Sequence, residues 1–140
     1  MILLDTNVLS ELMKSAPEPH ALEWLDTLSP SECYLSAITK AEIELGIALL
    51  PEGKRKVDLK TAAELMFDEF PDRCLSFNST AASKYADIVA ERTRIGRPIS
   101  VEDAQIAAIA VTHEMLLATR NSSDFECIDG LTILNPWLML

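Results

Sequence analysis

Three observations predict a three-layer α/β/α domain with a mainly parallel central sheet. Short apolar runs at 2–4, 33–35, 74–77, 115–118 and 131–134 are the right length for strands and too short for helices. Longer segments with helical spacing of apolar residues separate most of them, the pattern that joins parallel strands by crossovers. The chain has 140 residues, 49% of them hydrophobic, which suits one domain spanning 1–140 with a single packed sheet.

The elements follow in order. Residues 2–4 form an apolar strand that runs straight into Asp5. A short helix over 7–13 is closed by Pro17-Glu18-Pro19. A second helix, about 19–28, gathers Ala21, Leu22, Trp24, Leu25 and Leu28 on its apolar side. The strand at 33–35 leads to a helix over 39–50, which ends before Pro51-Glu52-Gly53. A longer helix occupies about 54–70, and a brief strand 74–77. Ser79 or Thr80 starts a helix that ends near Gly96 and Pro98. Ser100 opens another over 101–113. Past Gln105 this helix is almost wholly small or apolar (Ile106, Ala107, Ala108, Ile109, Ala110, Val111), so it is expected to be buried on most sides. Strands at 115–118 and 131–134 complete the sheet.

Composition narrows the chemistry. The formal net charge is −10, from 22 acidic and 12 basic side chains. Nucleic-acid binders are usually basic, because contacts with phosphate dominate their affinity. An acidic balance suits a protein that concentrates carboxylates around cations or awaits a basic partner. The three cysteines, Cys33, Cys74 and Cys127, have neither zinc nor CxxC spacing and are expected to be reduced and buried. His20 and His113 fit no metal or triad pattern, and Gly-rich phosphate loops are absent. No apolar run approaches the ~20 residues that span a bilayer. The acid at position 5 argues against a signal peptide, so a cytoplasmic location is expected.

Acids recur where strands end. Asp5 directly follows the first strand, and Asn121 and Asp124 follow the one at 115–118. Glu42 and Asp103 each sit in an expected first helical turn. Thr39-x-x-Glu42 and Ser100-x-x-Asp103 can each be read as a capping box that serves only its helix. The other reading brings these acids together at the carboxyl edge of the sheet, where α/β proteins bind ligands. Two carboxylates ~4 Å apart repel by ~4 kcal/mol at an effective dielectric of 20. A cluster would therefore protonate in part or take a cation, and Mg²⁺ or Mn²⁺ suits an all-oxygen site.

Several motifs are similar to those of one family. Ile2-Leu3-Leu4-Asp5-Thr6-Asn7-Val8-Leu9-Ser10-Glu11 resembles the opening of PIN-domain proteins. So do Leu35-Ser36-Ala37-Ile38-Thr39-Lys40-Ala41-Glu42, Asp103-Ala104-Gln105-Ile106 and Leu117-Ala118-Thr119-Arg120-Asn121, with Asn135-Pro136-Trp137 at the end. Their order and spacing resemble the VapC/FitB-like toxins of type II toxin–antitoxin modules. The resemblance implies a PIN-like fold and an Mg²⁺ or Mn²⁺ ion held by Asp5, Glu42 and Asp103. It implies a metal-dependent ribonuclease that hydrolyses RNA phosphodiester bonds, for which in-line attack of a metal-bound water on phosphorus is the expected mechanism. It also implies a homodimer and a cognate antitoxin, through which DNA would be bound indirectly. In some relatives a fourth acid directly follows the Thr-Arg pair; here Asn121 stands there. Asp124 is then the preferred fourth acid, with Asn121 as a neutral oxygen ligand or water positioner. Thr6 and Asn7 are expected to brace the loop around Asp5. Lys54, Arg55, Lys56 and Lys60, and likewise Arg92, Arg94 and Arg97, are candidates to steer RNA, but the preferred expectation for each group is a solvated helix face.

Three other readings remain open at this stage. One is a phosphatase with Asp5 as nucleophile, although Asn7 replaces the second acid of its Asp-x-Asp pattern. Another is a receiver-like Mg²⁺-binding signalling module, although Phe77-Asn78 supplies no acid after the short strand. The last is a PIN-type module that binds antitoxin without cleaving RNA.

Overall fold

The computed structural model describes residues 1–139. Its elements are β1 (Ile2–Leu4), α1 (Thr6–Leu12), α2 (Pro19–Asp26), β2 (Cys33–Ser36), α3 (Ala37–Ala48), α4 (Lys54–Asp68), β3 (Cys74–Leu75), α5 (Ser79–Arg94), α6 (Val101–Thr112), β4 (Leu116–Ala118) and β5 (Ile133–Leu134), with short 3-10 turns between. The sheet order is β3-β2-β1-β4-β5 and every pairing is parallel.

Period-two alternation along the strands builds a core on each face. Leu3, Tyr34, Leu117 and Ile133 point to one side, where α5 and α6 supply Ala81, Ile88, Ile106 and Ile109. Leu4, Leu35, Ala118 and Leu134 point to the other, against Val8, Leu9, Trp24, Ile43, Ile47 and Ala63 from α1–α4. The result is the expected three-layer sandwich. On α6, Ala104, Ala107, Ala108 and Ala110 are wholly buried, so small side chains let this helix sit close to its neighbours. Ile106 and Ile109 each contribute about 2 kcal/mol by leaving water.

Register positions the site. Leu4 pairs with Ala118, and Ala118 with Leu134, so β1, β4 and β5 end on one line. The next residues, Asp5, Thr119 and Asn135, therefore leave the sheet side by side. Two backbone bonds extend the line: Asp5 N–H donates to Ala118 C=O at 2.9 Å, and Thr119 N–H donates to Leu134 C=O at 2.9 Å.

Some expected boundaries move. The helix expected over 39–50 begins at Ala37, because Ser36 closes β2 and accepts the Thr39 N–H at 3.0 Å as the N-cap. The strand expected over 74–77 stops at Leu75, since Asn78 caps α5 through the Ala81 N–H at 2.9 Å. The expectation of three buried thiols holds for Cys33 alone. Cys74 lies on the edge strand β3, and Cys127 occupies a surface turn with φ 61°.

Candidate active site

Asp5 is the N-cap of α1, and its carboxylate accepts three hydrogen bonds. Oδ1 accepts the Thr6 N–H at 2.8 Å. Oδ2 accepts the Thr119 hydroxyl at 2.7 Å and the Asn7 side-chain amide at 3.1 Å. Only 4% of the residue is exposed. Burial pushes its carboxyl pKa up to about 6; the Thr119 and Thr6 bonds oppose the rise, and the charges of Asp103 and Glu42 add to it. Both expected partner acids therefore act on Asp5.

Thr6 ties Asp5 to α3. While its N–H holds Asp5, its hydroxyl donates to Glu42 Oε1 at 2.7 Å and lies 3.0 Å from Thr39 Oγ1. With α3 starting at Ala37, Glu42 stands in the second turn and caps nothing. The Thr39-x-x-Glu42 capping box is thus overturned: Ser36 does the capping, and Thr39 is buried in the hydroxyl pair. A cleft of about 300 Å³ opens from Thr6 and Glu42 along Met13, Ile47 and Arg55. A larger cavity of about 670 Å³, between α5 and residues 127–129, borders none of these acids.

Asp103 lies in the first turn of α6, where Ser100 Oγ accepts its N–H at 3.1 Å as the N-cap. Half of the capping-box reading holds here. Asp103 is partly buried, and that burial raises its pKa; the Ser100 hydroxyl lowers it, Asp124 and Glu102 raise it, and Arg92 lowers it. Asp124 thus reaches the site through its charge on Asp103. Asn121 has only its backbone engaged, donating N–H to Thr119 Oγ1 at 3.1 Å.

Two contributors escaped sequence reasoning. Thr119 is wholly buried and central: its hydroxyl donates to Asp5 and accepts from the Asn7 amide at 3.3 Å and the Asn121 N–H. Its place in the Thr-Arg-Asn motif was the available signal. Arg92, expected on a solvated face, is 4% exposed. Its guanidinium donates to the carbonyls of Arg97 at 2.7 Å and of Asp124 and Glu126 at 3.0 Å each. This buried cation fastens the segment that carries Asp124 to α5.

Among the described residues, no three His, Cys, Asp or Glu side chains converge into a ready-made metal group. The donor chemistry nevertheless fits a hard cation. Asp5, Glu42 and Asp103 offer only oxygen ligands, and the charges of Glu42 and Asp103 disfavour an ionised Asp5 until a positive charge enters. Mg²⁺ keeps several waters and commonly takes only one or two carboxylates, so three converging ligands are not required.

Fold and site together define an α/β protein with a carboxylate centre at the exit edge of a parallel sheet. A family model described as the PIN domain matches residues 2–131, and the chain belongs to the PIN-domain family. It is 43% identical to the VapC ribonuclease Y4jK of Sinorhizobium fredii, over 98% of this chain and 98% of that one. It is 41% identical to Toxin FitB of Neisseria gonorrhoeae, over 98% of this chain and 99% of that protein. The solved structure of FitAB bound to the IR36 DNA fragment contains a chain of 41% identity that superposes with a TM-score of 0.93, covering 100% of this chain and 98% of that one. Family membership replaces the phosphatase-like and receiver-like alternatives. No described helix is long and apolar enough to cross a membrane.

Proposed function

We propose that this chain is a ribonuclease toxin of a toxin–antitoxin pair, acting as a single PIN domain with a divalent cation at Asp5, Glu42 and Asp103. The observation that carries the reading is Asp5 itself: a buried carboxylate at about pKa 6, fixed by three donors and lying within the field of Asp103 and Glu42. Burying a carboxylate is costly even with donors around it, and carboxyls with pKa values raised in this way cluster at functional sites. Ribonuclease and toxin are the names borne by relatives above 40% identity, and they support the same reading.

When bound, Mg²⁺ or Mn²⁺ supplies a Lewis acid that polarises the phosphate and acidifies water at neutral pH. The protein supplies orientation. Thr119, Asn7 and the Thr6 amide fix both oxygens of Asp5, and the Thr6 hydroxyl fixes one oxygen of Glu42. Ser100 sets the start of α6 and hence Asp103. Asp124 is the fourth acid, held near Asp103 by the Arg92 clamp. An RNA strand is the substrate. A cognate antitoxin with a basic segment would complement the acidic surface and connect the pair to DNA, and a second copy of the chain completes a homodimer. The cytoplasm is the proposed location.

The test is cleavage of RNA with Mn²⁺ or Mg²⁺, with and without excess chelator, alongside an Asp5→Asn control prepared identically. The expected result is metal-dependent cleavage that the control loses and the antitoxin suppresses. Equal cleavage by both proteins would assign the activity to a contaminant.

A further inference from the structure

An acidic nuclease must still receive a polyanion beside its carboxylates; Arg55 lines the cleft beside Glu42, and a second cation, Arg120, is mounted on the Asp5 side. Arg120 follows Thr119 directly and is exposed. Its backbone is pinned on both sides: its N–H donates to Asn7 Oδ1 at 3.0 Å, and its C=O accepts from Asn135 Nδ2 at 3.3 Å. Its guanidinium lies over the Trp137 ring, 5.1 Å from the centroid. Trp137 is itself partly buried and packed against the core cluster that includes Leu4, Leu9 and Trp24. Lys14, Lys40, Lys54, Lys56, Arg94 and Arg97 each pair with a carboxylate. Arg120 pairs with none among the described residues.

We propose that Arg120 binds a backbone phosphate of the RNA next to the acid cluster, with Trp137 as its platform. The proposal rests on the ribonuclease reading and adds a substrate contact to it. A guanidinium stacked on an indole keeps its edge N–H donors free, in the planar fork that matches phosphate oxygens. The platform restricts the side chain beforehand, so less conformational entropy is lost on binding. The location is also apt, because Asp5 is held by the residue immediately preceding Arg120. The Asn7 side chain joins the two, its amide donating to Asp5 Oδ2 at 3.1 Å and its oxygen accepting the Arg120 N–H, so the cation is mounted beside the carboxylate centre without bonding to it.

Fluorescence anisotropy with a short, labelled single-stranded RNA of mixed sequence tests this. The titration is run with Mg²⁺ across a salt series, in an Asp5→Asn background that suppresses cleavage. Adding Arg120→Gln is expected to weaken binding roughly tenfold at low salt. It is also expected to reduce the slope of log K against log salt by about 0.7, the value for one phosphate contact on a single strand. Arg120→Lys should keep the slope and lose only part of the affinity, and Trp137→Leu should do the same. Parental affinity and slope in Arg120→Gln would overturn the proposal. So would equal losses in the Gln and Lys variants at unchanged slope, which would assign a packing role. If the wild-type chain neither binds nor cleaves RNA, the ribonuclease reading falls too; if it cleaves while Arg120→Gln binds normally, only the present inference falls.

Discussion

The Thr119 hydroxyl donates to Asp5 Oδ2 across 2.7 Å, joining the exits of two neighbouring strands through residues 114 positions apart. It opposes the burial that raises Asp5, so its loss should raise the carboxyl further above about 6. A divalent ion binds the deprotonated form, so affinity must rise with pH through this range. Thr119→Val is expected to move that rise to higher pH and to weaken Mn²⁺ binding about tenfold near pH 6. Thr119→Ser should restore it. Calorimetric titrations at several pH values check both.

Asp5 also links stability to pH. Its folded pKa lies above the unfolded value of 3.8, so its contribution favours the fold at low pH and is lost as pH rises through about 6. Across that window the metal-free wild type should lose on the order of 3 kcal/mol relative to Asp5→Asn. Denaturation of both proteins at matched pH values reads the difference. Saturating Mn²⁺ should restore wild-type stability at neutral pH and have little effect on the variant. A difference independent of pH would contradict the assigned titration.

Thr6 serves two acids at once, Asp5 through its amide and Glu42 through its hydroxyl. Thr6→Val keeps the amide and removes the hydroxyl. Mn²⁺ affinity at neutral pH should fall about tenfold, and the melting temperature should fall modestly, because the buried Thr39 hydroxyl loses a partner. An unchanged affinity would separate Glu42 from the metal.

Arg92 is a structural cation whose three carbonyl partners place the Asp124 segment. Arg92→Met should cost about 2–4 kcal/mol in urea denaturation, because buried carbonyls lose charged donors. In the wild-type background, Asp124→Asn should weaken Mn²⁺ binding while Asn121→Ala leaves it alone, since Asp124 carries a charge that reaches Asp103 and Asn121 carries none. The reverse order would move the fourth position to Asn121.

Much of this was legible in the sequence because the strands are short apolar runs that end in polar residues. Asp5 at the exit of β1 and the buried face of α6 follow from that pattern alone. The start of α3 was not legible: Ser36 and Thr39 both carry a hydroxyl of the kind that caps helices, and only the end of β2 makes Ser36 the cap. That displacement moved Glu42 by a turn and hid the Thr6–Thr39 pair. Arg92 sits in the last turn of α5 with Arg94, where local pattern predicts a solvated cation. Only the tertiary fold lays residues 124–126 across it. Thr119 was visible as a motif letter, but its bond to Asp5 depends on β1 and β4 being neighbours. Arg120 depends on β4 and β5 in the same way, since Trp137 follows the latter strand.

The most direct measurement of the central claim is a crystal structure of the chain with Mn²⁺, read by the metal's anomalous scattering. One peak or a close pair is expected beside Asp5, within reach of Glu42 and Asp103 directly or through water. Manganese bound elsewhere, with this pocket left to solvent while the same preparation cleaves RNA, would contradict it.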